Sequence, residues 1–195
     1  MSSETAEPRV AAHSHWTVAM VRRMPRVEGE RYELIDGELY VATQPHTRHQ
    51  IACSRIMFQL ELWNSNGRPG VVIPAPGVIY SKREAVAPDV VWVSAARFQQ
   101  IMGKDGKLHG SPELMIELLS PGKANAERDR EKKLELYSRR GVQEYWIADW
   151  QTTTVEIYRS QDDALQLVAT VGAGETIESP LLPGFSCVID RFFEL

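Results

Sequence analysis

Two cysteines, Cys53 and Cys187, are all the chain has in 195 residues, too few for a disulfide framework and without the C-x-x-C spacing of a zinc or redox pair. They set the expectation of reduced thiols in a cytoplasmic protein. No stretch approaches the roughly 18 consecutive apolar residues of a membrane span, and the first dozen residues lack the cationic start and apolar run of a secretory signal. A chain neither exported nor inserted, with no membrane partner, is therefore expected. Basic residues are short as well: 22 Lys and Arg against 26 Asp and Glu leave a formal net charge of −4, which argues against coating nucleic acid by bulk charge. Any phosphate-handling site must be local. G-x-x-x-x-G-K-[ST] and the nucleophile elbow of Ser-His-Asp hydrolases are both absent, and Gly103, Gly106 and Gly110 are too irregularly spaced to cradle a phosphate. His13, His15, His46 and His109 form no ligand constellation for zinc.

What is present is ordinary for a globular domain, 43% hydrophobic and 25% charged residues, with no repeat and no linker. The reading is a disordered tail over 1–13 and one α/β (α+β) domain over 14–195. Helical spacing in WTVAMVRRM (16–24) is stopped by Pro25 and Gly29. RYELIDGELYVATQ predicts a hairpin, with strands over 31–35 and 38–43 around Asp36-Gly37. A long helix follows over 46–64. Pro74 and Pro76 split GVVIPAPGVIYS into two strands confined to edges or bends. AVAPDVVWVS (85–94) and ELMIELLS (113–120) read as nearly continuous apolar strands, buried on both faces, with a short helix over 95–102 between them. A charged helix over 125–140 ends at Gly141, and VQEYWIAD, TVEIYRS and ALQLVATV predict antiparallel strands before a Pro-bounded LLPGF tail and a brief turn near Asp190.

Two carboxylates are out of place in this pattern. Asp89 and Glu117 each stand alone in an apolar strand, and stranding an ionised acid at low dielectric costs several kcal/mol unless something pairs with it. Taken singly, Asp89 fits a strand entrance with its carboxylate at the wet end, and Glu117 fits a structural ion pair with an arginine. If the strands are neighbours, a hard divalent cation between the two acids explains both. The charged helix adds a third oddity: counting about 100° per residue from Ala126, Lys133 falls among Leu134, Leu136 and Tyr137 on the apolar face, in one row with Asp129 and Tyr137. The alternative is a surface Asp129–Lys133 pair at the margin of the core. Asp, Glu, a divalent metal and Lys together suffice for phosphodiester hydrolysis.

The segments RYELIDGELYV, PHTRHQ, APDVVWV, LMIELLSPG, DREKKLELY (129–137) and GVQEYWIAD, in that order, resemble the Uma-type restriction-endonuclease family, long called a domain of unknown function. The resemblance runs from Trp16 to the LLPGF tail. It implies the PD-(D/E)xK nuclease fold, a mixed central sheet flanked by helices, here with an N-terminal hairpin and C-terminal antiparallel strands. Pro88-Asp89 then takes the PD position and Glu117 the D/E position. The usual lysine two residues on is replaced by Leu119, and Lys133 in the D-x-x-x-K-x-x-x-Y helix takes its part.

The expectation is a metal-dependent nuclease acting on nucleic acid, DNA above all, with Asp89 and Glu117 as ligands of Mg²⁺ or Mn²⁺ and Lys133 as the cationic partner. Glu38 is the preferred auxiliary acid over Glu33. His49, Asp129 and Tyr137 are lesser candidates, His49 fitting a packing or capping role as readily. The alternative is a catalytically inactive nuclease-like module that binds DNA or a protein. A homodimer is expected from exposed edge strands and a symmetric cleavage task.

Overall fold

The computed structural model describes residues 9–10, 15–67 and 70–195. The expected tail over 1–13 lies outside the described residues except for Arg9–Val10, whose backbone forms strand β1. Helix α1 (Val18–Arg23) starts where the Thr17 side chain accepts the Met20 N–H. The hairpin of β2 (Arg31–Ile35) and β3 (Glu38–Ala42) turns on Asp36 and Gly37, both at positive φ, as a type I′ two-residue turn requires. Helix α2 (Thr47–Asn64) is capped by the His46 side chain and buries Ala52, Cys53, Ile56, Leu60 and Trp63. Strands β4 (Gly70–Pro74) and β5 (Val78–Ser81) lie at sheet edges, where a proline interrupts no ladder.

The run over 85–94 departs from the expected single strand. It is split into β6 (Glu84–Val86) and β7 (Val90–Ser94), which belong to different sheets, and Ala87, Pro88 and Asp89 make the passage between them. Pro88 cannot donate to a ladder, so the chain changes sheet there. Helix α3 (Ala95–Ile101) then leads to β8 (Leu114–Leu118). The expected charged helix is three pieces: α4 (Lys123–Glu127), a π-helical segment (Arg128–Lys133) and α5 (Leu134–Arg139). Strands β9 (Glu144–Asp149), β10 (Thr154–Gln161) and β11 (Ala164–Val171) match the expected pattern. The tail adds a small hairpin, β12 (Thr176–Glu178) with β13 (Ser186–Val188), before α6 (Asp190–Phe193).

The larger sheet has the order β11-β10-β9-β8-β7-β4 and is mixed, because β8 and β9 run parallel while the other neighbours are antiparallel. The helical stretch from α4 to α5 is the crossover that a parallel pair needs. The smaller sheet, β1-β3-β2-β6-β5, contributes Ile35, Tyr40, Val78 and Val86 to one face of the larger one, together with Leu136 and Tyr137 of α5. Helices α2 and α6 cover the other face through Ile56, Leu60 and Phe192. Along β8 the period of two holds: Leu114, Ile116 and Leu118 face α2, whereas Met115 and Leu119 face α5. Both cysteines are buried and free. Among the described residues no helix is long and apolar enough to cross a membrane.

Candidate active site

Strands β7 and β8 pair Val90 with Ile116 and Val91 with Met115, a register that carries Asp89 to the position opposite Glu117. Asp89 Oδ2 accepts the main-chain N–H of Leu118 at 2.9 Å and lies 3.1 Å from His49 Nε2, while Oδ1 faces Arg31 Nη1 at 3.1 Å. Glu117 Oε1 accepts from the Tyr137 hydroxyl at 2.8 Å and from Lys133 Nζ at 2.9 Å. The same ammonium reaches Glu33 Oε1 at 3.1 Å and Asp129 Oδ1 at 3.5 Å. Glu33 Oε1 is held in turn by the N–H of Ala87, in the passage between the two sheets. Lys133 is 1% exposed, so the expected margin-of-core alternative, with a snorkelling lysine, does not apply. Four buried carboxyl groups (Glu33, Asp89, Glu117 and Asp129) thus face three permanent cations (Arg31, Arg128 and Lys133).

The π-helical segment explains how one helix supplies so many inward groups. Arg128 and Lys133 are five residues apart, about 140° around a regular α-helix, but a π turn closes i to i+5 and brings both to the buried side with Asp129. Glu131 and Lys132 remain exposed, and Arg130 forms a fork with Glu156 at 2.7 Å. Lys132 is therefore the outward neighbour and Lys133 the inward one.

Electrostatics divides the two strand acids. Burial works against ionising Asp89, but the hydrogen bond and charge of His49, with Arg31 and Lys133, outweigh it and hold the carboxyl well below the usual range. Burial pushes Glu117 up to about 8 in spite of Lys133, with Asp89, Asp129 and Glu33 adding to the rise. Burial opposes the Lys133 ammonium, yet Glu117, Glu33 and Asp129 more than compensate and raise it. Tyr137, raised by burial and by Glu117, keeps its proton and donates it.

Glu33, His49, Asp89, Glu117, Arg128 and Lys133 line a cavity of about 40 Å³. That is room for an ion with a water or two. Asp89 and Glu117, at facing strand positions, both line this cavity with carboxyl oxygens, the donor type that a hard divalent cation takes. A second group, His49, Cys53 and Asp89, has ligand atoms within 4.8 Å of one another. Its sulfur lies 3.6 Å from His49 Nδ1, but burial, and then Asp89, push the Cys53 thiol up, so it stays a protonated partner of the imidazole. Larger clefts of about 670 and 740 Å³ flank α1 and carry none of the four carboxylates.

The structure brings together Asp89, Glu117, Lys133, Asp129, Tyr137, Glu33 and His49. It leaves out Glu38. The hairpin pairs Ile35 with Glu38 and Glu33 with Tyr40, so all four share a face, and position along the strands decides between the two acids. Glu38 sits at the exposed turn and accepts from the Tyr40 hydroxyl at 2.6 Å, whereas Glu33 lies mid-strand against Lys133. The expected preference for Glu38 over Glu33 is thus reversed. Arg31 is a member that sequence reasoning did not single out, and Arg128 reads from sequence only as one of several helix cations that could contact backbone phosphates, with a solvated face preferred, whereas the structure buries it. Arg31 shares the alternation of Glu33 and Ile35, a usable signal; Arg128 falls about 200° from Ala126 in a regular helix, so no count at α-helical pitch finds it. Tyr145 and Trp146 are fully buried sheet core and not base-stacking groups.

The fold resembles a solved structure from Anabaena variabilis ATCC 29413, described as a putative nuclease belonging to DUF820: TM-score 0.73, 18% identity, 91% of this chain and 97% of that one covered. No curated protein matches the sequence. Residues 18–190 match the Uma2 family, described as "Putative restriction endonuclease", and that span, nearly all of the folded chain, makes the protein a member of that family.

Proposed function

We propose that the protein hydrolyses nucleic-acid phosphodiesters, DNA above all, with Mg²⁺ or Mn²⁺ held by Asp89 and Glu117. The observation that carries the reading is the contact of Lys133 Nζ with Glu117 Oε1 at 2.9 Å, at a buried cavity that Asp89 also lines. An ion held there would supply positive charge for the phosphoryl group and would lower the pKa of a bound water. Lys133 neutralises charge that develops on the phosphoryl group, and Glu33 and Asp129 keep its ammonium in place. Tyr137 orients the Glu117 carboxylate; His49 and the Leu118 N–H orient that of Asp89. Family membership and the nuclease-like fold support the same reaction class. The test is cleavage of DNA by the purified protein with Mg²⁺ or Mn²⁺, and its loss in Asp89→Asn and Glu117→Gln. Full cleavage by either variant overturns the reading.

One observation favours a second reading, a nuclease-like module that binds DNA or a protein without cutting. Both oxygens of Asp89 already have partners, and all three donors of Lys133 have acceptors, so the charges satisfy one another without an ion. Calorimetry with Mg²⁺ and Mn²⁺ separates the two, since the module shows no binding that Glu117→Gln abolishes. A homodimer belongs to the nuclease reading, because cutting two strands needs two sites, and sedimentation with DNA checks it.

A further inference from the structure

The π-helical segment turns Arg128 into the cavity shared by Asp89, Glu117 and Lys133, and its side chain is 8% exposed. Its Nε donates to Asp129 Oδ1 at 3.1 Å. Its Nη1 is buried and has no hydrogen-bond partner. A guanidinium N–H sealed from water without an acceptor is an uncompensated cost, and its planar fork matches the oxygens of a phosphate better than any other side chain. The two other permanent cations at the cavity are already engaged. Lys133 faces three carboxylates, and Arg31 donates to Asp89 and to the Ala87 carbonyl. At about 40 Å³ the cavity admits an oxygen or two and excludes a nucleobase.

We propose that Arg128 is the phosphate-contact residue of this site: Nη1 donates to a non-bridging oxygen of the scissile phosphodiester, so the substrate is gripped there by its phosphoryl group and not by its base. The proposal rests on the nuclease reading and adds to it a residue and a mode of recognition. Contact at this point is independent of sequence, so any base preference has to come from elsewhere on the protein.

The test is titration of a short DNA duplex into the protein with Ca²⁺ in place of Mg²⁺, comparing wild type with Arg128→Met and Arg128→Lys, each shown to be folded by circular dichroism. Arg128→Met is expected to weaken binding about tenfold or more, and Arg128→Lys, which keeps the charge beside Asp129 without the fork, to recover part of it. Should Arg128→Met not fold, Arg128→Lys alone gives the comparison. Equal binding by wild type and the folded variants, or no binding by wild type, overturns the contact. A readout that a structural role would not move is the effect of replacing one non-bridging oxygen by sulfur: the wild type discriminates between the two stereoisomers, and the Arg128 variants lose that discrimination. Cleavage assays on the same proteins keep the two claims apart. Binding that depends on Arg128 with no cleavage in Mg²⁺ or Mn²⁺ retains the contact and removes the nuclease reading, whereas cleavage indifferent to Arg128 does the reverse.

Discussion

Asp89 accepts the main-chain N–H of Leu118 at 2.9 Å, so the acid that precedes β7 is tied to the residue next to Glu117 on β8. The pin fixes the spacing of the two strand carboxylates through backbone, which a surface ion pair of two long side chains does not do.

Asp89→Asn should abolish cleavage and lower stability at neutral pH by about 3 kcal/mol or more, since Arg31 and His49 lose the charge they face. The folded Asp89 carboxyl lies below its ordinary value, so its contribution is present above the usual carboxylate range and is lost as pH falls through it. Urea unfolding followed into acid should therefore show a shallower decline for the variant than for the wild type.

Glu117 has the opposite sign. With its folded value pushed up to about 8 from 4.5, it binds a proton in the folded state that the unfolded chain has released, and stability falls as pH rises between those values. Glu117→Gln should remove that slope. Denaturation in metal-free buffer across this window checks it, and an unchanged slope counts against the assignment.

Lys133→Met leaves Glu33, Glu117 and Asp129 without their common ammonium, and should cost about 3–5 kcal/mol along with cleavage. Adding Glu33→Gln should restore part of the stability and none of the activity. A double-mutant cycle by chemical denaturation measures the coupling.

Glu38→Ala should leave cleavage unchanged and stability within about 1 kcal/mol, because the residue is exposed and touches Tyr40 away from the cavity. Glu33→Ala, by contrast, should impair both. Side-by-side rates for the two variants decide which hairpin acid serves the site.

Several parts of this arrangement are legible in the amino-acid sequence alone. Asp36-Gly37 announces its hairpin because this pair readily takes the positive φ at both positions that a type I′ turn uses to join two strands tightly. Asp89 and Glu117 announce themselves by their cost, and Lys133 by its place on an apolar helix face. The passage at Pro88-Asp89 is only partly legible: Pro88 marks a break in the ladder, but the apolar residues on both sides read as one buried strand, and nothing local says that Ala85 and Val86 belong to another sheet. His49 is ambiguous for the same kind of reason. Its partner Asp89 is 40 residues away, and a lone imidazole at a helix start carries no mark of such a contact.

By itself the amino-acid order determined most of the elements and the anomalous charges, because periodicity, turn chemistry and the cost of burying a carboxylate are all local properties of the chain. Tertiary structure alone decided which of two acids on one hairpin face meets Lys133, and that a π turn, not an α turn, carries Arg128 inward. Those outcomes depend on how two sheets and a helix pack, where a shift of one residue in register, or of one residue per turn, exchanges a buried partner for water.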